Sequence, residues 1–260
     1  MKLFKDLYNY RELLKSNVKK EIRGKYKGSI LGVLWSFINP LLMTLVYAIV
    51  FPFLMSNTGE PNYYVYLIVG IIPWNFFTTV INQGSLCIRT EASIIKKVYF
   101  PRAILPISVA LSGLVNFFIS SIIILLFVLG SGTGLSWHLI FLPLIAIIQT
   151  LFSLGLVFIL SSVNVYIKDL EYIVNFIMMM AFYGTPILYN VSRFASSPEL
   201  TTLIKLNPMT AIINGYRDIF YYHQMPDFVS LGVVGIGSLI LVIVGYAIFK
   251  KLEKGFAEEV

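Results

Sequence analysis

The chain has 260 residues, of which 57% are hydrophobic and only 13% charged, and its net charge is +7. A soluble domain carries about 25% charge, so this composition excludes an ordinary soluble enzyme or binding module. The single cysteine, Cys87, excludes an internal disulfide and offers no thiolate metal cluster. In a soluble protein the basic excess would suggest nucleic acid. Here it borders apolar stretches, where it sets orientation and meets anionic lipid, so no nucleic-acid partner is expected.

The chain opens with Leu3, Leu7, Tyr10, Leu14 and Val18 at intervals of three or four, with Lys and Arg between them. That spacing predicts an amphipathic helix over 1–28, lying in the cytoplasmic headgroup plane. The start MKLFKDLYNY has no apolar core followed by a small-residue cleavage site. The first span is therefore expected to direct insertion itself.

Residues 30–56, 63–88, 103–166 and 228–249 contain no Lys, Arg, Asp or Glu. A hydrocarbon core of about 30 Å needs roughly 20 apolar residues at helical rise. Six spans are predicted, at 32–55, 63–88, 105–129, 137–163, 172–188 and 228–249. The run Gly130, Ser131, Gly132, Thr133, Gly134 separates the third from the fourth, and Trp137 and His138 mark an interface. The expected fold is an all-α polytopic membrane protein, read as one transmembrane domain over 1–260. Within it, 32–188 carries spans one to five, 189–227 an outer-face region, 228–249 the sixth span and 250–260 a tail.

Seventeen basic residues fall on the side of the N-terminus, the second and fourth loops and the tail, against Arg193, Lys205 and Arg217 on the other. The positive-inside rule then places both termini in the cytoplasm. Residues 210–222 repeat Ile212, Ile213, Tyr216, Ile219 and Phe220 at helical spacing, behind an N-cap Asn207 and a first-turn Pro208. About 13 residues reach roughly 20 Å, too short to cross. Crossing would also bury Arg217 and Asp218. The segment is expected to be re-entrant or interfacial on the outer face.

Span interiors hold neutral polar side chains, among them Asn39, Asn75, Asn82, Gln83, Asn116, Gln149 and Asn175. Ion-coupled carriers place ionisable groups there, so ion coupling is disfavoured. The acidic pair Asp169 and Glu171 reads as a solvated or partner-facing loop rather than a catalytic dyad. No G-x-x-x-x-G-K-[ST] occurs, so the chain does not cradle ATP in that manner. No enzyme activity, cofactor or metal is expected of it. Active transport would draw its energy from another subunit.

The second cytoplasmic loop carries Ile94, Ile95, Lys96, Lys97, Val98, Tyr99, Phe100 and Pro101. Apolar side chains on such a loop seek a protein groove or the membrane face, and Pro101 ends any helix there. Two readings stay open: a docking helix for a cytoplasmic partner, or an elbow packed on its own protein.

Several blocks resemble polysaccharide-export ABC transporter permeases, the transmembrane subunits of O-antigen and teichoic acid exporters. Residues 27–40 (KGSILGVLWSFINP) are similar to the family's first-span signature. Residues 70–77 (GIIPWNFF), 94–102 (IIKKVYFPR), 166–170 (YIKDL), 185–189 (TPILY), 206–210 (LNPMT) and Tyr216, Arg217, Asp218 follow in the same order. Lys168 departs from the pattern, where Arg is more usual; the charge stays but the planar fork is lost.

The resemblance implies an inner-membrane homodimer with two ATPase subunits, which bind ATP and Mg²⁺. It implies export of a lipid-linked glycan, contact between the ATPase and the 94–101 loop, and an outer gate formed by Asn207, Pro208, Tyr216, Arg217 and Asp218. Arg23, Lys25 and Lys27 then stand where a lipid diphosphate would be met, or simply orient the first span. Tyr47, Phe51, Trp74, Phe76, Phe77, Phe182 and Tyr183 offer flat rings for sugar C–H faces, or ordinary packing and interface anchors. Ile95 and Tyr99 are both expected to face the ATPase. An exporter of drugs or small lipids is the alternative.

Overall fold

A computed structural model describes residues 2–24, 60–132, 134–191 and 196–259, with isolated positions between 34 and 50. The predicted first span falls largely outside the described residues. Among the described residues the protein is helical, without a strand.

Two short helices open the chain, α1 (Lys2–Asn9) and α2 (Arg11–Gly24). The predicted amphipathic helix is thus divided at Tyr10. Helix α3 (Tyr63–Thr90) follows, then the one-turn α4 (Ala92–Ile95) and α5 (Ile104–Gly130). Gly132 and Gly134 take positive φ in the turn that ends α5, a conformation that costs glycine nothing. A 3₁₀ turn (Trp137–Phe141) leads into α6 (Leu142–Tyr166). Next come α7 (Leu170–Gly184), α8 (Pro198–Leu206), α9 (Pro208–Phe220), α10 (Phe228–Leu252) and α11 (Phe256–Glu259).

Among the described residues, four segments are long and apolar enough to cross a membrane: Tyr63–Thr90, Ile104–Gly130, Trp137–Tyr166 and Phe228–Gly255. They correspond to the predicted second, third, fourth and sixth spans. The predicted fifth appears as the 15-residue α7, which stops at Gly184. Helix α9 forms as the sequence dictates. The Asn207 side chain caps the Met209 N–H at 3.0 Å, and Pro208 takes the first turn, where no donor is needed. Asp227 caps α10 in the same way, accepting from the N–H groups of Val229 and Ser230.

Helix α3 is the central post, buried against α5 and α6. Helix α10 packs along α6, and glycines set how closely. A Cβ on Gly245 would lie 2.5 Å from the Gly155 carbonyl oxygen, so neither helix tolerates a side chain at that crossing. Gly232 and Gly237 on α10 face open space instead.

Two polar braces tie this bundle. Gln149 on α6 donates to the Pro73 carbonyl on α3 at 2.7 Å, and the Tyr216 hydroxyl on α9 donates to Gln149 Oε1 at 2.9 Å. Near the C-terminal end of α3, Asn164 donates to the Ser85 carbonyl and accepts from Arg89. Buried amides of this kind hold helices in register because the alternative is an unsatisfied dipole.

Candidate functional site

A groove of about 320 Å³ runs between α3 and α7. On α3, Asn75, Thr78 and Asn82 recur at three and four residues and so share one face. Asn175 stands opposite on α7, and Trp74, Phe182 and Tyr183 supply rings. Trp74 meets Phe182 edge-on at 5.8 Å, and Phe182 meets Tyr183 edge-on at 5.4 Å. The Asn82 Oδ1 is buried without a hydrogen-bond partner. The walls therefore offer neutral amides, a hydroxyl and aromatic faces, but no carboxylate or cation. Of α7, only Val174 is buried, and Phe176, Met179, Met180 and Tyr183 are exposed.

Of the seven rings expected to line a channel, Trp74, Phe182 and Tyr183 stand at this groove. Phe76 and Phe77 do not. Both are buried in the helical core, stacked on Phe117 at 5.2 Å and on Phe152 at 5.6 Å. They point away because α3 turns about 100° per residue, so neighbours in sequence diverge in space. Tyr47 and Phe51 lie outside the described residues.

After Gly184, α7 breaks and residues 185–190 run irregularly. Their carbonyls need partners in a water-poor setting, and side chains from α3 and α9 provide them. Tyr63 donates to the Leu188 carbonyl at 2.6 Å and Tyr66 to the Tyr189 carbonyl at 2.9 Å. Arg217 donates from Nη1 to the Pro186 carbonyl at 2.5 Å and from Nη2 to the Ile187 carbonyl at 2.7 Å. The Thr185 hydroxyl accepts from Asn207 at 2.9 Å. Gly70 leaves room for the guanidinium, since a Cβ there would approach Arg217 Nη2 to 3.1 Å.

Arg217 is 1% exposed and, among the described residues, has no carboxylate within salt-bridge distance; the Tyr66 ring takes its face instead. Around it Glu60 accepts from Asn190 at 2.6 Å and from Tyr222 at 3.1 Å. Burial, with Glu60 close by, pushes the hydroxyls of Tyr221 and Tyr222 well above the usual tyrosine range. They stay protonated donors. Of the five residues expected at an outer gate, Asn207 and Arg217 bond directly to the α7 break, while Tyr216 bonds Gln149 and Asp218 bonds Gln224.

Beyond the C-terminal end of α3, the eight-residue loop 94–101 divides into two faces. Ile95 and Phe100 are buried, packed with Cys87, Ile88, Ala103 and Phe256. Ile95, expected to face a partner, is packed inward here: within one helical turn, Ile94 and Ile95 point to different sides. Ile94, Lys96, Lys97, Val98 and Tyr99 are exposed, Tyr99 by 92%. Pro101 precedes α5 rather than ending α4, which stops at Ile95. The loop therefore has an inward anchor and an outward apolar edge.

The elbow is clamped from two directions. Lys20 on α2 pairs with Glu91 at 2.6 Å, and Leu7, Tyr10, Leu13 and Leu14 pack under the cluster that holds Ile95. From the far end of the chain, Phe256 inserts completely, and Arg102 stacks over its ring while donating to the Glu253 carbonyl. Neither Asn164 nor Phe256 stood out in the sequence. A lone Asn in an apolar run and a lone Phe in a charged tail were the only signals. Lys25 and Lys27 lie outside the described residues, and the same holds for the Arg23 side chain.

A family profile described as "ABC-2 type transporter" matches residues 12–221. Over 260 residues the chain is 35% identical to the O-antigen export system permease protein RfbA of Myxococcus xanthus, with 100% of both chains covered. It is 36% identical over 249 residues to the O-antigen export system permease protein RfbA of Klebsiella pneumoniae, covering 95% of this chain and 94% of that one. With the profile spanning most of the chain and both relatives aligned nearly end to end, this multi-pass membrane protein belongs to the ABC-2 type transporter family.

Proposed function

We propose that the chain is the permease subunit of an ATP-driven exporter that moves a lipid-linked polysaccharide across the cytoplasmic membrane. The observation that carries this reading is the groove between α3 and α7. Its amides and rings suit a hydroxyl-rich, uncharged chain that must slide without sticking, because hydroxyls exchange among neutral partners and C–H faces rest on rings. An apolar drug would not need Asn75, Thr78, Asn82 and Asn175 lining one groove. The names of the relatives from Myxococcus xanthus and Klebsiella pneumoniae support the same cargo class.

In this reading the exposed flank of α7 meets a second copy, so that two half-grooves make one passage. Both termini are cytoplasmic, as the distribution of basic residues favours. Two ATPase subunits carry ATP and Mg²⁺ and push on the outward edge of the elbow, Ile94, Val98 and Tyr99. Because Ile95 and Phe100 are seated in the bundle, a push on the loop reaches α3 and α5 directly. Binding shifts such an equilibrium only by its difference in affinity for the two states. Arg23, Lys25 and Lys27 would receive the lipid diphosphate at the inner face.

The test is reconstitution of the permease with its ATPase in liposomes containing a lipid-linked glycan. ATP-dependent transfer of the glycan to the opposite face is expected, with turnover stimulated by that substrate. Steady uphill transport by the permease without an ATPase would refute the proposal, as would complexes that move small apolar compounds but no glycan.

A further inference from the structure

A second cavity lies at the outer end, between α3, α9 and the start of α10, with a volume of about 340 Å³. Arg217 is one of its walls. Two of its nitrogens are committed to the Pro186 and Ile187 carbonyls, but its buried Nε–H has no acceptor. A buried guanidinium N–H left without a partner is unusual enough to require an occupant. Nearby, Asn214 makes no side-chain hydrogen bond among the described residues. Asp218 accepts from the Gln224 amide at 2.7 Å and from the Asp227 backbone N–H, which leaves the Gln224 carbonyl without a side-chain hydrogen bond among the described residues. Asp227, by contrast, is spent on capping α10 and on the Ser230 hydroxyl.

The charge balance selects the ligand class. Asp218 and Asp227 on the cavity wall outnumber the single guanidinium, which also faces the Tyr66 ring. An anion would meet net repulsion, and an ammonium would meet Arg217. A hydroxyl group both donates and accepts, so it can serve the Arg217 N–H, the Asn214 amide and the Asp218 and Gln224 oxygens together. The volume is at the small end of the range of about 300–1,000 Å³ for ligand pockets, which suits one sugar ring.

We propose that this cavity binds a single neutral sugar unit of the glycan as it leaves the outer end of the passage. The proposal rests on the export reading above and adds a recognition step at the outer collar. A sugar held there resists backsliding while the groove resets.

Saturation-transfer NMR on the full-length permease in nanodiscs tests it, with D-glucose, D-galactose, D-mannose, L-rhamnose, D-glucuronate and inorganic phosphate as probes. At least one neutral sugar is expected to bind at millimolar concentration, with glucuronate and phosphate showing no transfer. Asn214→Ala and Gln224→Ala should each weaken that binding by about tenfold, with unchanged thermal unfolding to show that the fold is intact. Gln224 lies on the exposed loop after α9, so its variant remains informative if Asn214→Ala folds poorly. No neutral-sugar transfer, undiminished transfer in folded variants, or a preference for phosphate would overturn the site. ATP-driven export by the wild-type complex is measured in parallel. Export without sugar binding removes the cavity proposal and leaves the export reading standing, whereas sugar binding without export removes the export reading.

Discussion

The guanidinium of Arg217 lies 3.6 Å from the centre of the Tyr66 ring, with both side chains buried at the break in α7. A cation over a ring in a dry setting contributes about 2 kcal/mol or more, yet the greater role of Arg217 is to satisfy the Pro186 and Ile187 carbonyls. Arg217→Ala leaves both without partners, at about 1–3 kcal/mol each. The purified variant should unfold at clearly lower temperature. Arg217→Lys should not rescue it, because an ammonium lacks the planar fork. If Arg217→Ala melts with the wild type, the arginine is not the strut of the outer collar.

Gly245→Leu places a side chain against the Gly155 carbonyl. The α6–α10 crossing must then open, and overpacking of this kind costs about 1–3 kcal/mol or more. Gly237→Leu on the same helix meets open space and should be tolerated. Size-exclusion profiles and thermal unfolding of the two variants compare them directly. Equal behaviour would contradict the packing described.

Tyr99→Ala should lower co-purification with the ATPase while leaving the permease as stable as before, because the ring is almost wholly exposed. Ile95→Asp should do the reverse of a clean docking mutation. It buries a carboxylate among Cys87, Phe100 and Phe256, and the protein itself should be destabilised. A stable Ile95→Asp variant would show that the loop's inner face is not seated as described.

Glu21 on α2 responds to pH with a definite sign. Burial, then the nearby Glu91 carboxylate, raises its pKa above the ordinary 4.5, with Lys20 partly opposing. A carboxyl with a raised folded-state pKa holds its proton more tightly when folded, so its ionised form costs stability at neutral pH. That cost disappears as pH falls through the raised value. Glu21→Gln should therefore unfold at higher temperature than wild type at neutral pH, with the gap closing near pH 4.5. A gap that stays constant with pH would contradict this assignment.

Asn75→Leu combined with Asn82→Leu removes two amides from one wall of the groove while adding apolar surface. Membrane insertion and ATPase binding should persist, and glycan export should fall by about tenfold or more, the scale of one lost polar contact in the passage. Export at the wild-type rate would move the glycan path elsewhere.

Much of this architecture was legible from charge and periodicity. The charge-free runs mark four membrane-length helices because burying a lysine or glutamate in hydrocarbon is costly at any position in a span. Asn207 and Pro208 announced the start of α9, since capping chemistry is local and needs no tertiary context. Ring orientation was not legible. Trp74, Phe76 and Phe77 look alike in sequence, and only the packing of α3 against α5 and α6 decides that Trp74 faces the groove while the other two face inward. Nor was the early stop of α7, since 172–188 carries no charge. The break there depends on distant partners, Tyr63, Tyr66 and Arg217, that make irregular backbone tolerable.

The docking of Phe256 beneath the bundle has a practical consequence. Arg102, two residues past the buried Phe100, reaches the Glu253 carbonyl and the Phe256 ring. Trimming the last few residues, or fusing a bulky reporter directly after them, would loosen the floor beneath the exposed edge of the 94–101 loop. A defect produced that way would mimic a change in that edge although none of the altered residues belongs to it.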